Sequence, residues 1–181
     1  RTIELCTVFG CDSFLLPVLG KNGIFDGPSF HRAADYIRRF SEEAGKKGIS
    51  TYLEINQSVE QLHNLLDAVD NPMVRIFFDS QNLYVYDGTS MARYFTAIEE
   101  LVGGVHLKDG VGTMLSGSLL GEGTSGFQRT AEAILRSSYS GPLILESVYN
   151  KPTVSSLGTE EELLARDVAT LHSVFDEKAY A

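Results

Sequence analysis

Cysteine is scarce in this chain. Only Cys6 and Cys11 occur, five positions apart, without the companions that a disulfide framework or a four-ligand zinc site would need. Both read as reduced thiols, small and buried by default, and point to a cytoplasmic protein. Long apolar runs are missing as well: none approaches the roughly 18 residues of a bilayer-crossing helix, which excludes a membrane-spanning protein. Seventeen Gly, five Pro and ten Phe among 181 residues leave no collagen-like, low-complexity or disordered signature. Positive charge is short. Fifteen Lys and Arg face 24 Asp and Glu, a formal charge of −9 that repels polyanions and disfavours nucleic acid as a partner. No charged segment followed by an apolar one opens the chain, and it starts at Arg1 rather than Met, as a processed or truncated polypeptide does.

What is present is an alternation of short apolar runs, polar loops and longer segments with helical periodicity. That is the βα pattern of a parallel sheet. The runs are Thr2 to Phe9 (TIELCTVF), Ile49 to Ile55, Val74 to Phe78, Gly104 to Leu107 and Pro142 to Leu145, short and rich in β-branched or aromatic residues as buried parallel strands are. Helix starts are marked between them. Ser58 with Gln61, and Thr159 with Glu162, form capping boxes; Ser29 and Ser90 can cap helices beginning near Phe30 and Met91. Pro72 and Gly141 close preceding helical segments. Five strands and five helices follow with no Pro-, Gly- or Ser-rich linker, so residues 1–181 read as one domain.

The polar residues bear on the architecture. FGCDSFLLPVLG, after the first run, is not G-x-G-x-x-G, so dinucleotide binding has no support. Instead, Glu54, Asp79, His106 and Glu146 sit at the carboxyl ends of four successive strands, separated by 25, 27 and 40 positions, each long enough for a loop, a helix and a return. In a barrel all four would converge on one mouth. Three carboxylates and an imidazole in one cavity require a cation. Their oxygen-rich character favours Mn²⁺ or Mg²⁺, with Zn²⁺ or Co²⁺ compatible by ligand type. Such an ion would leave open positions for a sugar-like substrate with adjacent carbonyl and hydroxyl oxygens.

The strings YLEIN, FFDSQN, GVHLKD, LLGEG and LILES, in this order and spacing, resemble the xylose isomerase-like TIM barrels, a superfamily that includes sugar epimerases and isomerases, inosose dehydratases and endonuclease IV. The resemblance covers roughly Ile3 to Tyr149 and implies the part of the (β/α)8 barrel from its fourth strand to its eighth. It further implies that Glu54, Asp79, His106 and Glu146 are the metal-binding set, and that Glu54 and Glu146 move protons. The implied activity is a divalent-metal-dependent isomerase or epimerase acting on a small sugar or polyol through an enediolate. An inosose-type dehydratase, an endonuclease IV-like phosphodiesterase and a non-catalytic partial-barrel binding module are the alternatives.

Two departures qualify the resemblance. Many members carry D-x-x-H where this chain has Asp79-Ser-Gln-Asn82, and Asn82 can bond a substrate hydroxyl but poorly replaces a second-metal imidazole, which argues against a trinuclear endonuclease site. After His106, KDGVGTML lacks the arginine that some keto-sugar epimerases carry. Lys108 is assigned to a substrate oxygen or phosphate, with a structural ion pair as its alternative, and Glu122, in the glycine-rich GSLLGEGTSG loop, to substrate as well. His31, His63 and His172 read as surface residues, and Phe77, Phe78, Phe127, Tyr84 and Tyr86 as core or pocket wall. Five of eight barrel units take about 156 residues, so three strands are missing from the barrel and its outer strands would be open edges. Either a missing N-terminal segment or a second copy in a homo-oligomer is expected to cover them.

Overall fold

A computed structural model describes residues 1–176. Five strands form one sheet in chain order: β1 (Ser13–Val18), β2 (Ser50–Ile55), β3 (Val74–Asp79), β4 (Val102–Leu107) and β5 (Leu143–Leu145). The pairings β1 with β2, β2 with β3 and β4 with β5 are parallel. The helices are α1 (Thr2–Phe9), α2 (Gly27–Gly45), α3 (Val59–Val69), α4 (Asn82–Asp87), α5 (Met91–Ile98), α6 (Phe127–Arg136), α7 (Pro152–Ser155) and α8 (Glu160–Phe175). Among the described residues no helix is long and apolar enough to cross a membrane.

The first apolar run is not a strand. TIELCTVF folds as α1, and the first strand is SFLLPV, inside the stretch FGCDSFLLPVLG that follows that run. Two forces outweigh the β-branched composition of that run. Ile3 and Cys6, one helical turn apart, pack on the cluster that contains Phe14, Ala44 and Ile49. Gly10, at φ +67°, then ends the helix in the left-handed region that glycine adopts without strain. Cys11, just beyond it, is exposed rather than buried. Pro17 fits β1 because the strand pairs on one side only, where a missing N–H breaks no ladder.

Helix α2 also begins earlier than expected. Its cap is Asp26, whose carboxylate accepts the Ser29 N–H at 2.7 Å, while Ser29 Oγ accepts the Asp26 N–H at 2.9 Å. These bonds from Ser29 hold the Asp26 carboxyl below the usual carboxylate range. The boxes at Ser58 and Thr159 form as read, whereas Ser90 stands at the cap position without a side-chain bond.

Two compact units divide the chain, residues 1–77 with 101–103, and residues 78–100 with those from 104 onward. In the first, α2 packs on β2 and α3 over the fully buried Ile37, Leu53, Leu62 and Leu65. A side chain at Gly103 would come within 2.6 Å of the Tyr52 ring, so a larger residue there would have to displace that ring. In the second, Phe78 meets Phe95 edge-on at 5.1 Å, and Phe95 meets Tyr139 edge-on at 6.2 Å, beneath α5 and α6. Register in this unit sets His106 opposite Ile144. The three surface histidines are exposed as expected; Phe77, Phe78 and Phe127 are buried, whereas Tyr86, expected in the core or pocket wall, is exposed.

Phe95 is fully buried between two rings and its loss leaves a cavity that backbone relaxation fills only in part. Phe95→Ala should therefore lower unfolding free energy by about 3–5 kcal/mol in denaturant titration. A loss under 1 kcal/mol would show that the aromatic stack is not the core of this unit.

Candidate metal centre and active site

In the second unit, three strand ends deliver ligand-type side chains to one place. Asp79 is the last residue of β3, His106 the penultimate residue of β4, and Glu146 follows β5 with its N–H donating to the Leu107 carbonyl at 2.9 Å. Alternation along the strands sets which side chains share a face, and the ends of parallel strands carry them beyond the ladder. One ligand atom from each of the three lies within 4.8 Å of the others. His106 Nδ1 stands 3.3 Å from Glu146 Oε2 and 3.9 Å from Asp79 Oδ2. Asp79 is 6% exposed. Its Oδ1 accepts the backbone N–H of Gln81 at 2.8 Å and of Asn82 at 2.7 Å, which orients the other oxygen, Oδ2, toward His106. Two carboxylate oxygens and an imidazole nitrogen at this spacing fit a hard or borderline divalent ion with bonds of about 2.0–2.6 Å.

A cation already faces the carboxylates. Lys108, 5% exposed, places Nζ 2.7 Å from Asp79 Oδ2 and 2.7 Å from Glu146 Oε2. Burial pushes the Asp79 carboxyl upward against the pull of Lys108 and the two backbone N–H groups. For Lys108 the balance is reversed: burial opposes the ammonium, but Asp79 and Glu146 outweigh it and raise its pKa. The two upward shifts pull opposite ways on the ion pair. The short, doubly bridged geometry supports the charged pair.

The other expected site residues are placed as follows. Glu54 belongs to the first unit, near the carboxyl end of β2 and opposite Pro17 of β1, and is 8% exposed. Asn82 is buried at the start of α4, directly after the turn that Asp79 caps. Glu122 sits in the loop after β4 with its carboxylate 2.8 Å from Arg166 of α8.

That loop is held from within. Asp109, fully buried, accepts N–H groups of Gly110 at 2.8 Å, Gly121 at 3.1 Å and Gly123 at 3.0 Å, and the Ser125 hydroxyl at 2.6 Å. A Cβ at Gly123 would collide with the Asp109 carboxylate. Asp167 of α8, also fully buried, accepts the Leu120 N–H at 2.8 Å, the Ser147 hydroxyl at 2.8 Å and the Tyr149 hydroxyl at 2.9 Å. Burial, with the Asp167 contact, pushes the Tyr149 hydroxyl up to about 12. Gln81 spans the gap between Asp79 and the loop: its side chain donates to the Met114 carbonyl at 2.9 Å and accepts the Ser116 N–H at 2.8 Å. Ser116, at φ +49°, in turn donates its hydroxyl to the Glu146 carbonyl at 3.0 Å. Sequence reading missed this bracing set. Its one local signal is the pair Lys108-Asp109 followed by a glycine-rich loop.

Comparison with known proteins bears on the family and the fold. A family model described as xylose isomerase-like TIM barrel matches residues 1–173. The chain belongs to that family. A 2-epi-5-epi-valiolone 7-phosphate 2-epimerase of Actinoplanes sp. is 30% identical over 135 residues, 74% of this chain and 50% of the relative. In fold, the chain is similar to a xylose isomerase domain protein from Planctomyces limnophilus, with a TM-score of 0.82, 18% identity, and coverage of 99% of this chain and 65% of that one. It is also similar to a D-allulose 3-epimerase from Methylomonas sp., with a TM-score of 0.77, 17% identity, and coverage of 96% and 66%. The chain thus spans about half the length of the curated relative it matches. The α/β fold of this barrel family, expected from the sequence, is the one found.

Asp109→Ala would strip partners from five donors in the loop after β4. The expected loss is about 3 kcal/mol or more of stability, with amide hydrogen exchange accelerating across residues 110–125 before the rest of the unit. Unchanged exchange in that segment would contradict the bracing role.

Proposed function

We propose that this chain carries the metal-binding half of a divalent-metal-dependent sugar isomerase or epimerase that acts on a small sugar or polyol. The observation that carries the reading is the gathering of Asp79, His106 and Glu146 at three strand ends within bridging distance of one ion. The relative named as an epimerase supports the reaction class. Asp79, His106 and Glu146 would hold the ion, with Glu54, a carboxylate near the carboxyl end of β2, as fourth ligand; Mn²⁺ or Mg²⁺ suits this donor set. Such an ion supplies positive charge to a carbonyl oxygen and its neighbouring hydroxyl oxygen.

The chain's own groups do the rest. One of Glu54 and Glu146 takes the proton from the carbon beside the carbonyl, and the C–H electron pair moves toward the carbonyl oxygen. The other carboxyl returns a proton, and return to the opposite face inverts that carbon. Asn82 and Lys108 are proposed to contact substrate oxygens, and Glu122 to border the substrate through its loop. An elimination of the dehydratase type would begin with the same proton removal, and product analysis separates the two outcomes.

The test uses metal-stripped protein reloaded with Mn²⁺, incubated in D2O with 2-epi-5-epi-valiolone 7-phosphate or D-allulose. Mass spectrometry should show deuterium at the carbon beside the carbonyl. Glu54→Gln and Glu146→Gln should keep the fold and reduce that exchange about 10²- to 10⁴-fold, because an amide cannot accept the proton. Exchange that persists in both variants would place the base elsewhere.

We also propose that further βα units pair along the open edges of β1 and β5, as the greater length of the Planctomyces structure supports. Residues 1–181 alone should then self-associate in light scattering. A monodisperse monomer that unfolds cooperatively would contradict it.

A further inference from the structure

Lys108 is placed in a way that the proton transfers above do not require. Its backbone is clamped at the end of β4: the Lys108 N–H donates to Ser80 Oγ at 2.8 Å, and the Ser80 hydroxyl donates to the Lys108 carbonyl at 2.8 Å. From that clamp the side chain runs inward, and Nζ reaches Asp79 Oδ2 and Glu146 Oε2 at 2.7 Å each. These are the same two oxygens that approach His106 Nδ1. The ammonium therefore contacts the atoms that would bind a divalent ion. An ion bonded to either oxygen would lie within about 5 Å of Nζ, the sum of one metal–oxygen bond and one ion-pair contact. At that range two like charges repel, and the burial of Asp79 and Lys108 weakens solvent screening on their side of the site. Without any cation, the two carboxylates would repel each other and the buried Asp79 would bear an uncompensated desolvation cost.

Resting on the metal-site reading above, we propose that Lys108 is a built-in counter-cation that competes with the divalent ion. It neutralises Asp79 and Glu146 in the metal-free protein, keeps the strand ends of β3 and β5 together, and lowers the affinity of the site for the ion. The arrangement makes metal loading reversible: the protein does not depend on the ion to hold its carboxylates, and the ion must displace or tolerate an ammonium to enter.

The test measures Mn²⁺ binding by calorimetry, and thermal unfolding, on metal-stripped wild type, K108M, K108Q and K108R. K108M fills the space without charge, and K108Q keeps a donor without charge, so one serves if the other fails to fold. Both should bind Mn²⁺ about tenfold or more tightly than wild type. Both should also melt lower than wild type when metal-free, and gain more from saturating Mn²⁺. K108R keeps the charge and should bind within about threefold of wild type. Equal or weaker Mn²⁺ binding by both K108M and K108Q overturns the competition proposal alone, because the metal site itself would then be present. Absence of Mn²⁺ binding in all four proteins overturns the metal-site reading, and this proposal with it.

Discussion

Two carboxylates brought together, one of them the buried Asp79, need positive charge beside them, and the second unit is organised around that requirement. Asp79 and Glu146 come from the ends of β3 and β5, and β4 between them carries His106 and leads directly into Lys108, the two groups that can answer the charge. His106 near the end of the strand and Lys108 just beyond it both reach these carboxylates, and Leu107 between them is buried. A site of this kind is costly to assemble unless each polar atom has a partner. The structure provides them locally. Asp79 Oδ1 is taken by two backbone N–H groups, and the Glu146 carbonyl by Ser116.

The loop after β4 is an extension of the same logic. Its glycines suggest motion, yet its backbone donors are turned inward onto Asp109 and Asp167, two buried carboxylates that are satisfied by N–H and O–H groups. Gln81 connects this loop to the turn that Asp79 caps, so the segment bearing Ser116 is fixed relative to two of the three metal-type ligands. Rigidity here serves the site, because a bridging distance set to a fraction of an ångström is what separates a metal centre from a patch of acidic surface.

Much of this was legible in the sequence, and the reasons differ from element to element. Asp79, His106 and Glu146 could be found because each stands at the end of a short apolar run, and the position of a strand end is a local property. Capping boxes at Ser58 and Thr159 were legible for the same reason: donor and acceptor are three residues apart. TIELCTVF misled because its β-branched composition argues for a strand, while its packing partners Ala44 and Ile49 are some forty residues away and the helix-ending role of Gly10 shows only in the fold. Asp109 and Asp167 were invisible in their roles. An acceptor whose donors lie up to 47 positions away carries no local mark. Lys108 was placed near the site from its neighbours in GVHLKD, but only the structure shows that it bridges both carboxylates.

The central claim is that these strand ends form a divalent-metal site, and anomalous diffraction from Mn²⁺-soaked crystals addresses it most directly. One dominant anomalous peak is expected, with oxygens of Asp79 and Glu146, a ring nitrogen of His106 and the proposed Glu54 carboxylate at about 2.0–2.6 Å from it. A map with no peak there, in which Lys108 alone bridges Asp79 and Glu146 at saturating Mn²⁺, would contradict it.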